Sequence, residues 1–471
     1  MLFSSLIFIF LFLPLVLLIY HSLRNEFRNA FLFVSSLVFY AWGEGELVLL
    51  MLISISINYT IGLLLDSTKI KYNYKVKRIY LFIGIILNLG FLVYYKYFNF
   101  ILDNLNSIGF DFNFKNGSIV LPIGISFFTF QGLSYLVDIY RERVPSQKRF
   151  VNIGLYISLF PQLIAGPIVR YEDIFSALSF RVISKKLFIE GILKFIRGLS
   201  KKVIIANSVG HLADLIFDIP SNELGTITSW IGIISYALQI YFDFSGYSDM
   251  AIGLGKMFGF RFKENFNHPY TSTSIKEFWR RWHISLSSWF RDYLYISLGG
   301  NRKSKLRTYL NLIIVFFITG LWHGASWNFV IWGLYHGMFL LIERNVSISL
   351  PNKFNFLKHI YLIGVVLVGW VFFRADDINY AILYIKSLFN LSFGVNNTPI
   401  TNISYYSLLI IVLGIVFSAP VRNKIPFNSI VRIIGINSSL LLKYIGYFIL
   451  FFYSILELVQ SNYNPFIYFR F

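Results

Sequence analysis

Three histidines offer this sequence its clearest chemistry, and tryptophans surround all of them. His283 sits in FWRRWHISLSSWFRDYLYISLGGNR, which starts at Phe278, while His323 and His336 sit in GLWHGASWNFVIWGLYHG, which starts at Gly320. Six of the nine Trp (Trp279, Trp282, Trp289, Trp322, Trp327, Trp332) and three of the seven His fall between Phe278 and Gly337. Polar groups are thus set among large apolar walls. A neutral imidazole, with an ordinary pKa near ~6.5, is the usual general base at neutral pH. Beside Trp walls it can deprotonate an alcohol attacking an activated acyl donor, while guanidinium groups hold phosphate or pyrophosphate of that donor. Arg280, Arg281 and Arg291 are the candidates for that second task, with Asp292 beside them; interfacial lipid anchorage is the commoner use of such arginines. The ordinary alternative for a buried histidine is a hydrogen-bonded core residue among packed aromatics. At membrane depth, however, an ionisable side chain is costly enough to be read as functional.

The spacing says which elements must position these groups. Trp279, Trp282, His283, Leu286 and Phe290 recur at three- and four-residue intervals, which predicts one face of a helix. Gly320 and Gly324 flank Trp322 and His323, so the backbone there can break or approach another segment, and His323 reads as a presented group. His323 and His336 lie thirteen residues apart, about 20 Å on one straight helix, so they share a reacting atom only if the helix breaks between them. One of the two is expected to be the base. There is no G-x-S-x-G elbow, no H-E-x-x-H and no Walker A motif. The chain has no Cys, which removes disulfides, thiolate zinc sites and cysteine acyl-enzymes. No metal site and no bound cofactor are expected.

Composition identifies the solvent. With 56% hydrophobic, 19% aromatic and only 14% charged residues among 471, the chain reads as an all-α, polytopic membrane protein, since soluble domains carry about 25% charge. An unbroken succession of apolar runs predicts a single membrane domain over 1–471. Lys and Arg outnumber Asp and Glu by 42 to 23, which points to basic loops facing anionic lipid and away from nucleic acid.

Leu2 to Tyr20 reads as a retained first span, followed by Phe31 to Trp42 (short for a full crossing), Leu47 to Leu65 and Ile79 to Ile101. Asp66 to Arg78 has five basic residues (Lys69, Lys71, Lys75, Lys77, Arg78) and Asp138 to Arg149 has four, whereas Leu102 to Ser118 has only Lys115. The two basic loops are therefore expected in the cytoplasm, and Leu102 to Ser118, Gly43 to Glu46 and the N-terminus outside. Val151 to Ile168 is flanked by basic residues on both sides and contains PQLIAGPIVR from Pro161; a re-entrant, broken stretch is expected there. Asp243 and Asp249 sit in apolar context and are each expected to pair with an Arg from the Trp-rich region. The loop Asn301 to Arg307 has four basic residues and reads as cytoplasmic. A helix rising from it would carry His323 roughly 24 Å from Arg307, deep in the membrane or near the far leaflet. With Ile231 to Phe242, Ile331 to Ile342, Ile360 to Phe373, a possible half-span at Tyr380 to Phe389, Tyr405 to Phe417 and Leu440 to Ile455, the total is roughly eleven to thirteen membrane segments.

These motifs together resemble the membrane-bound O-acyltransferases, in particular the alginate O-acetyltransferase branch. The resemblance rests on LPIGISFFTFQGLSYLVDIYR from Leu121, FPQLIAGPIVRYED from Phe160, FDFSGYSDMAIGLG from Phe242, the two Trp-rich runs, and WVFFRA from Trp370. It implies a funnel-shaped helical bundle with core motifs over 121–337, and His323 as the catalytic histidine. It also implies His283 as a second histidine lining the reaction tunnel and His336 as a motif histidine of open role. Trp322, Trp282, Arg280, Arg281, Arg291, Asp292 and Asp243 are the supporting candidates. The donor it implies is cytoplasmic acetyl-CoA. The acceptor is a polysaccharide or partner protein outside the bacterial cytoplasmic membrane, often with a periplasmic or cell-surface acetyltransferase partner. D-alanyl transfer to teichoic acid is the nearest alternative enzyme. A lipid or solute transporter is the alternative outside enzymes, and it predicts inverted halves with paired half-helices.

Overall fold

In a hydrocarbon solvent every backbone N–H and C=O must be satisfied within the segment, which leaves helices as the form for long apolar runs. The computed structural model describes residues 1–67, 73–110, 112, 119–346, 354–390, 403–421, 436–461 and 463–467, and among them there is no strand. Lys69, Lys71 and Lys115, used above to assign loops, lie outside the described residues. In chain order the helices are α1 (Leu13–Ser22), α2 (Asn25–Glu44), α3 (Val48–Asp66), α4 (Tyr74–Leu92), α5 (Phe98–Ser107), α6 (Ile125–Tyr140), α7 (Phe150–Ser158), α8 (Phe160–Leu163), α9 (Tyr171–Ser179) and α10 (Lys185–Ser200). They continue as α11 (Asn207–Phe217), α12 (Thr226–Met257), α13 (Ile275–Arg281), α14 (Ile284–Trp289), α15 (Lys305–His323), α16 (Trp327–Asn345), α17 (Asn355–Arg374), α18 (Ile378–Phe389), α19 (Tyr405–Ser418) and α20 (Ile436–Gln460). Two compact units emerge: the first is Met1–Phe195 with Met250–Lys263, the second Ile196–Asp249 with Glu264–Phe471.

Among the described residues, five helical stretches are long and apolar enough to cross a membrane: Asn25–Asp66, Tyr74–Ser107, Lys305–His323, Asn355–Arg374 and Asn437–Gln460. Phe8–Ser22, Ile378–Phe389 and Tyr405–Ser418 are shorter apolar helices. The chain is an all-helical polytopic membrane protein. The first of these stretches is 42 residues long, about twice what one crossing needs. It is divided at Gly45, whose φ of 55° a side chain would disfavour. The segment read as short at Phe31 to Trp42 is in fact the 20-residue α2, because the polar turn beginning at Asn25 joins the helix. Val151 to Ile168 is broken as expected: α7 has nine residues, Leu159 leaves helical geometry, and α8 is a single turn. Asn152 to Arg170 is buried throughout, so this irregular backbone is enclosed by protein.

In the second unit, the expectation that Asp243 and Asp249 pair with arginines of the Trp-rich region is overturned. Lys202 Nζ lies 2.9 Å from Asp243 Oδ1 and Lys201 Nζ lies 2.7 Å from Asp249 Oδ2. These lysines sit on a π-turn, Lys201–Ala206, between α10 and α11. Asp243 also accepts from the Ile467 backbone N–H at 2.9 Å, and Lys202 donates to the Pro465 carbonyl. Phe466 stacks on Tyr247 at 4.9 Å, and Tyr463 Oη donates to Asp214 Oδ2 at 2.6 Å. Residues 463–467 are thereby tied to α11 and α12, where Asp214 also receives Arg374 at 2.9 Å. Two of the arginines that were expected to reach the aspartates have acidic partners of their own, Arg281 at Glu277 and Arg291 at Asp292.

Candidate active site

Helix α13 starts where Ser274 Oγ accepts the Glu277 N–H at 3.1 Å, and Glu277 Oε2 reaches back to the Thr273 N–H at 2.9 Å, a reciprocal cap of the N-terminus. It does not continue through the histidine. Trp282 is extended and His283 is left-handed, with φ 43° and ψ 55°, so the single helical face predicted from Trp279 to Phe290 is split into α13 and α14. The cause lies in a neighbouring segment that takes the backbone groups at the break. The Asn267 N–H donates to Arg281 O and the Ile284 N–H to Asn265 O, each at 2.9 Å. Asn265 Oδ1 also accepts from Ser285 N–H at 3.0 Å and Ser285 Oγ at 2.9 Å. A non-glycine residue in this conformation persists only where its surroundings over-determine it. The effect is to turn His283 out of helical register and against Phe266, Phe244 and Trp322, at ring-centroid distances of 6.1, 6.2 and 6.3 Å.

His323 is the last residue of α15, and Gly324 carries the chain out of the helix before α16 begins at Trp327. The two helices pack backbone against backbone: a side chain at Gly320 would overlap the Phe329 carbonyl, and one at Gly333 the Phe316 carbonyl. The break that the thirteen-residue spacing required is therefore present. Its product is a common neighbour for the two histidines: Trp332 lies 5.0 Å from His323 and 5.3 Å from His336. Trp322 likewise touches both His323, at 4.9 Å, and His283. Trp279 packs on Trp332 at 5.7 Å and on His336 at 5.0 Å. The result is a row in which imidazoles and indoles alternate: His283, Trp322, His323, Trp332, His336, Trp279.

Helix α17 supplies the wall. Phe373 lies 5.1 Å from His323, and Trp370 stacks on Trp332 at 6.1 Å and meets Trp282 at 5.0 Å. The histidines at 283, 323 and 336 are 3, 6 and 1% exposed. Among the described residues several polar atoms in the row are buried without a hydrogen-bond partner: Trp279 Nε1, Trp332 Nε1, His283 Nδ1 and both ring nitrogens of His336. Leaving such a group unsatisfied costs about 1–3 kcal/mol, so a cluster of them marks a place where a polar ligand group is stabilised on arrival. Among the described residues no group of three His, Asp or Glu is disposed to hold a metal ion.

The other candidates are distributed differently. Trp282 and Trp322 join the row. Arg281 pairs with Glu277 at 2.7 Å, Arg291 with Asp292 at 2.6 Å, and Arg280 is exposed. Asp243 belongs to the ion-pair network described above. Sequence reasoning counted Trp332 among the apolar walls but did not single out Trp370, Phe373 or Phe244. The WVFFRA run carried the signal for two of them, and Trp332 stands four residues before His336, one helical turn away.

A profile of the membrane-bound O-acyltransferase family matches residues 36–381. The chain is 40% identical to "Probable alginate O-acetylase AlgI" of Pseudomonas putida, with 100% of both chains covered. It is 39% identical to the peptidoglycan O-acetyltransferase of Helicobacter pylori, over 86% of this chain and 82% of that one. With the teichoic acid D-alanyltransferase of Bacillus subtilis the identity is 30%, over 47% of this chain and 59% of the other.

Proposed function

The chain belongs to the membrane-bound O-acyltransferase family, and on that premise we propose that it transfers acetyl from cytoplasmic acetyl-CoA to a hydroxyl beyond the bacterial cytoplasmic membrane, for O-acetylation of a cell-surface polysaccharide. His323 is the general base. It takes the proton of the attacking hydroxyl as the new O–C bond forms at the thioester carbonyl; the C–S bond breaks, and the CoA thiolate leaves and recovers a proton. The observation that carries this reading is the placement of His323 at a helix break, buried between Trp322, Trp332 and Phe373. An imidazole so walled excludes water that would otherwise hydrolyse the thioester.

His283, reached through Trp322, orients donor or acceptor. The unpartnered indole and imidazole nitrogens of Trp332, Trp279 and His336 are positioned to receive the amide and carbonyl groups of a pantetheine thioester. Arg280, Arg281 and Arg291 serve as interfacial anchors. The alginate and peptidoglycan relatives support a polysaccharide as final acceptor, and the shorter match to the D-alanyltransferase places that chemistry second. The hydroxyl acetylated first belongs to the polymer or to a periplasmic or cell-surface acetyltransferase partner that completes the transfer.

The test is free-CoA release from acetyl-CoA by the purified protein in nanodiscs. His323→Ala should lower the rate by about 10²–10⁴-fold, the range for a lost general base, while thermal unfolding stays near wild type. His283→Ala should act less, or mainly through KM. A folded His323→Ala protein with normal release overturns the assignment.

A further inference from the structure

The first unit holds a cavity of about 440 Å³ lined by Asn25, Asn29, Gln147, Lys148, Arg149 and Asn152, with Glu26 and the α9 end at Leu178 and Ser179. Its volume lies within the roughly 300–1,000 Å³ typical of small-molecule sites. Three features of its lining favour a phosphorylated ligand. Asn152 is only 6% exposed; its Oδ1 accepts from Asn29 at 2.8 Å, and its amide N–H groups meet no acceptor among the described residues. Arg149 is exposed and among the described residues its guanidinium has neither an ion pair nor a hydrogen bond, whereas Lys148 beside it reaches Asp66 at 3.7 Å and Ser146 at 3.1 Å. Helices α2 and α7 both begin at the cavity on an arginine, and no side chain caps either one. The Phe27 and Asn152 N–H groups turn back on the Arg24 and Arg149 carbonyls at 3.1 Å, which leaves the first two N–H groups of each helix for an anion.

A smaller cavity of about 60 Å³ shares Asn25, Asn29, Leu178 and Ser179 and adds Arg28 and Arg181. Arg181 binds Tyr20 Oη, Phe258 O, Asn29 Oδ1 and Ala177 O, yet its NH2 is buried without a partner. The two cavities together are lined by four cationic side chains against the single carboxylate of Glu26, which is exposed. The loop that brings Lys148 and Arg149 is the one that its charge assigns to the cytoplasm.

We propose that this cavity binds a nucleotide-sized phosphate ester, namely the adenosine 3′,5′-bisphosphate end of a coenzyme-A donor. The Asn152 side-chain amide, held through its Oδ1 by Asn29, reads the base or ribose, and Arg149 with the α2 and α7 N-termini holds phosphate. The proposal rests on the acyl-CoA reading of the donor. The phosphate of an anionic phospholipid headgroup is the other source of the same chemistry, and the cavity exceeds what a phosphate alone requires.

The experiment measures binding of adenosine 3′,5′-bisphosphate and of CoA to the full chain in phosphatidylcholine nanodiscs, for wild type, Arg149→Gln, Asn152→Ala and His323→Ala. The bisphosphate should displace CoA. Arg149→Gln should weaken both ligands about tenfold, as expected for a lost charge-assisted contact, Asn152→Ala should weaken them less, and His323→Ala should bind as wild type. In turnover, Arg149→Gln should raise KM for acetyl-CoA with little change in kcat. If the bisphosphate fails to bind while phosphatidylglycerol stabilises the protein in an Arg149-dependent way, the site belongs to a lipid headgroup and the nucleotide assignment is overturned. Unchanged CoA affinity and KM in both cavity variants, with His323-dependent turnover intact, overturns the cavity and leaves acyl transfer standing. Arg149-dependent bisphosphate binding without any CoA release sustains the cavity and removes the acyl-transfer reading.

Discussion

Two buried polar regions of the second unit, joined by adjacent residues, handle their polarity in opposite ways. Around Asp214, Asp243 and Asp249 each carboxylate has a cation at 2.7–2.9 Å, and residues 463–467 add a backbone N–H, a carbonyl and a phenol to the same network. In the histidine row the polar groups are imidazoles and indoles, their neighbours are aromatic rings, and five nitrogens across four side chains have no hydrogen bond among the described residues. Asp243 belongs to the first region and the next residue, Phe244, packs on His283; Phe373 packs on His323 and the next residue, Arg374, binds Asp214. The difference follows from cost. An unpaired ion at depth costs several kcal/mol, more than a fold of ordinary stability carries comfortably, whereas a neutral orphan costs about 1–3. Charges are therefore paired and hold structure, and the unsatisfied ring nitrogens are the ones left for a substrate.

The comparison breaks most visibly if the paired region proves dispensable. Asp243→Ala leaves Lys202 buried and uncompensated and should remove about 3–5 kcal/mol of stability, read as a large fall in unfolding temperature in detergent. Removing both charges with Lys202→Met and Asp243→Leu should recover most of that loss. His323→Ala, by contrast, should lower turnover by about 10²–10⁴-fold with almost no change in unfolding temperature. An Asp243→Ala protein as stable as wild type would mean the network is not what supports the row.

A finer test concerns the space around the third histidine. A Cβ at Gly369 would come 2.6 Å from His336 Nε2 and 3.1 Å from its Cε1, so Gly369→Ala should cost about 1–3 kcal/mol through overpacking. Adding His336→Ala should relieve the strain, and a cycle of the two single variants and the double variant measures that coupling. If His336 is needed for the reaction, the relieved double variant stays slow; if it only fills space, turnover returns.

The sequence made the membrane class and the helix break at His323 legible because both depend on local pattern: apolar runs of spanning length, and a histidine framed by Gly320 and Gly324. The broken stretch after Val151 was visible for the same reason, through Pro161, Gly166 and Pro167. What could not be read was set by distant chain. His283 leaves helical register because residues 265–267 take the backbone groups on either side of it, and periodicity within 279–290 cannot register a neighbouring segment. Asp243 and Asp249 met lysines because the π-turn at Lys201–Ala206 presents cations there, and no spacing rule connects those positions. The alternating row likewise needed the folded hairpin of α15 and α16 before Trp332 could stand beside two histidines.

The smallest effect belongs to a charge pair at the edge of the row. Glu277, partly buried, would be pushed up by desolvation, but the Thr273 N–H and the Arg281 guanidinium outweigh this and hold its carboxyl below the ordinary carboxylate value. A carboxyl lowered on folding contributes stability above its unfolded pKa and loses it as pH falls through the folded value. Both side chains are about one-third exposed, 34% for Glu277 and 33% for Arg281, so solvent screening keeps the contribution below about 0.5 kcal/mol. Glu277→Gln retains an acceptor for the Thr273 N–H and removes only the charge. Its unfolding temperature should sit slightly below wild type at neutral pH and merge with it on acidification below about pH 4. A gap that persists in acid would assign the effect to cap geometry and not to the ion pair, making α13 another element held by hydrogen bonds alone, like the break at His283 that it leads into.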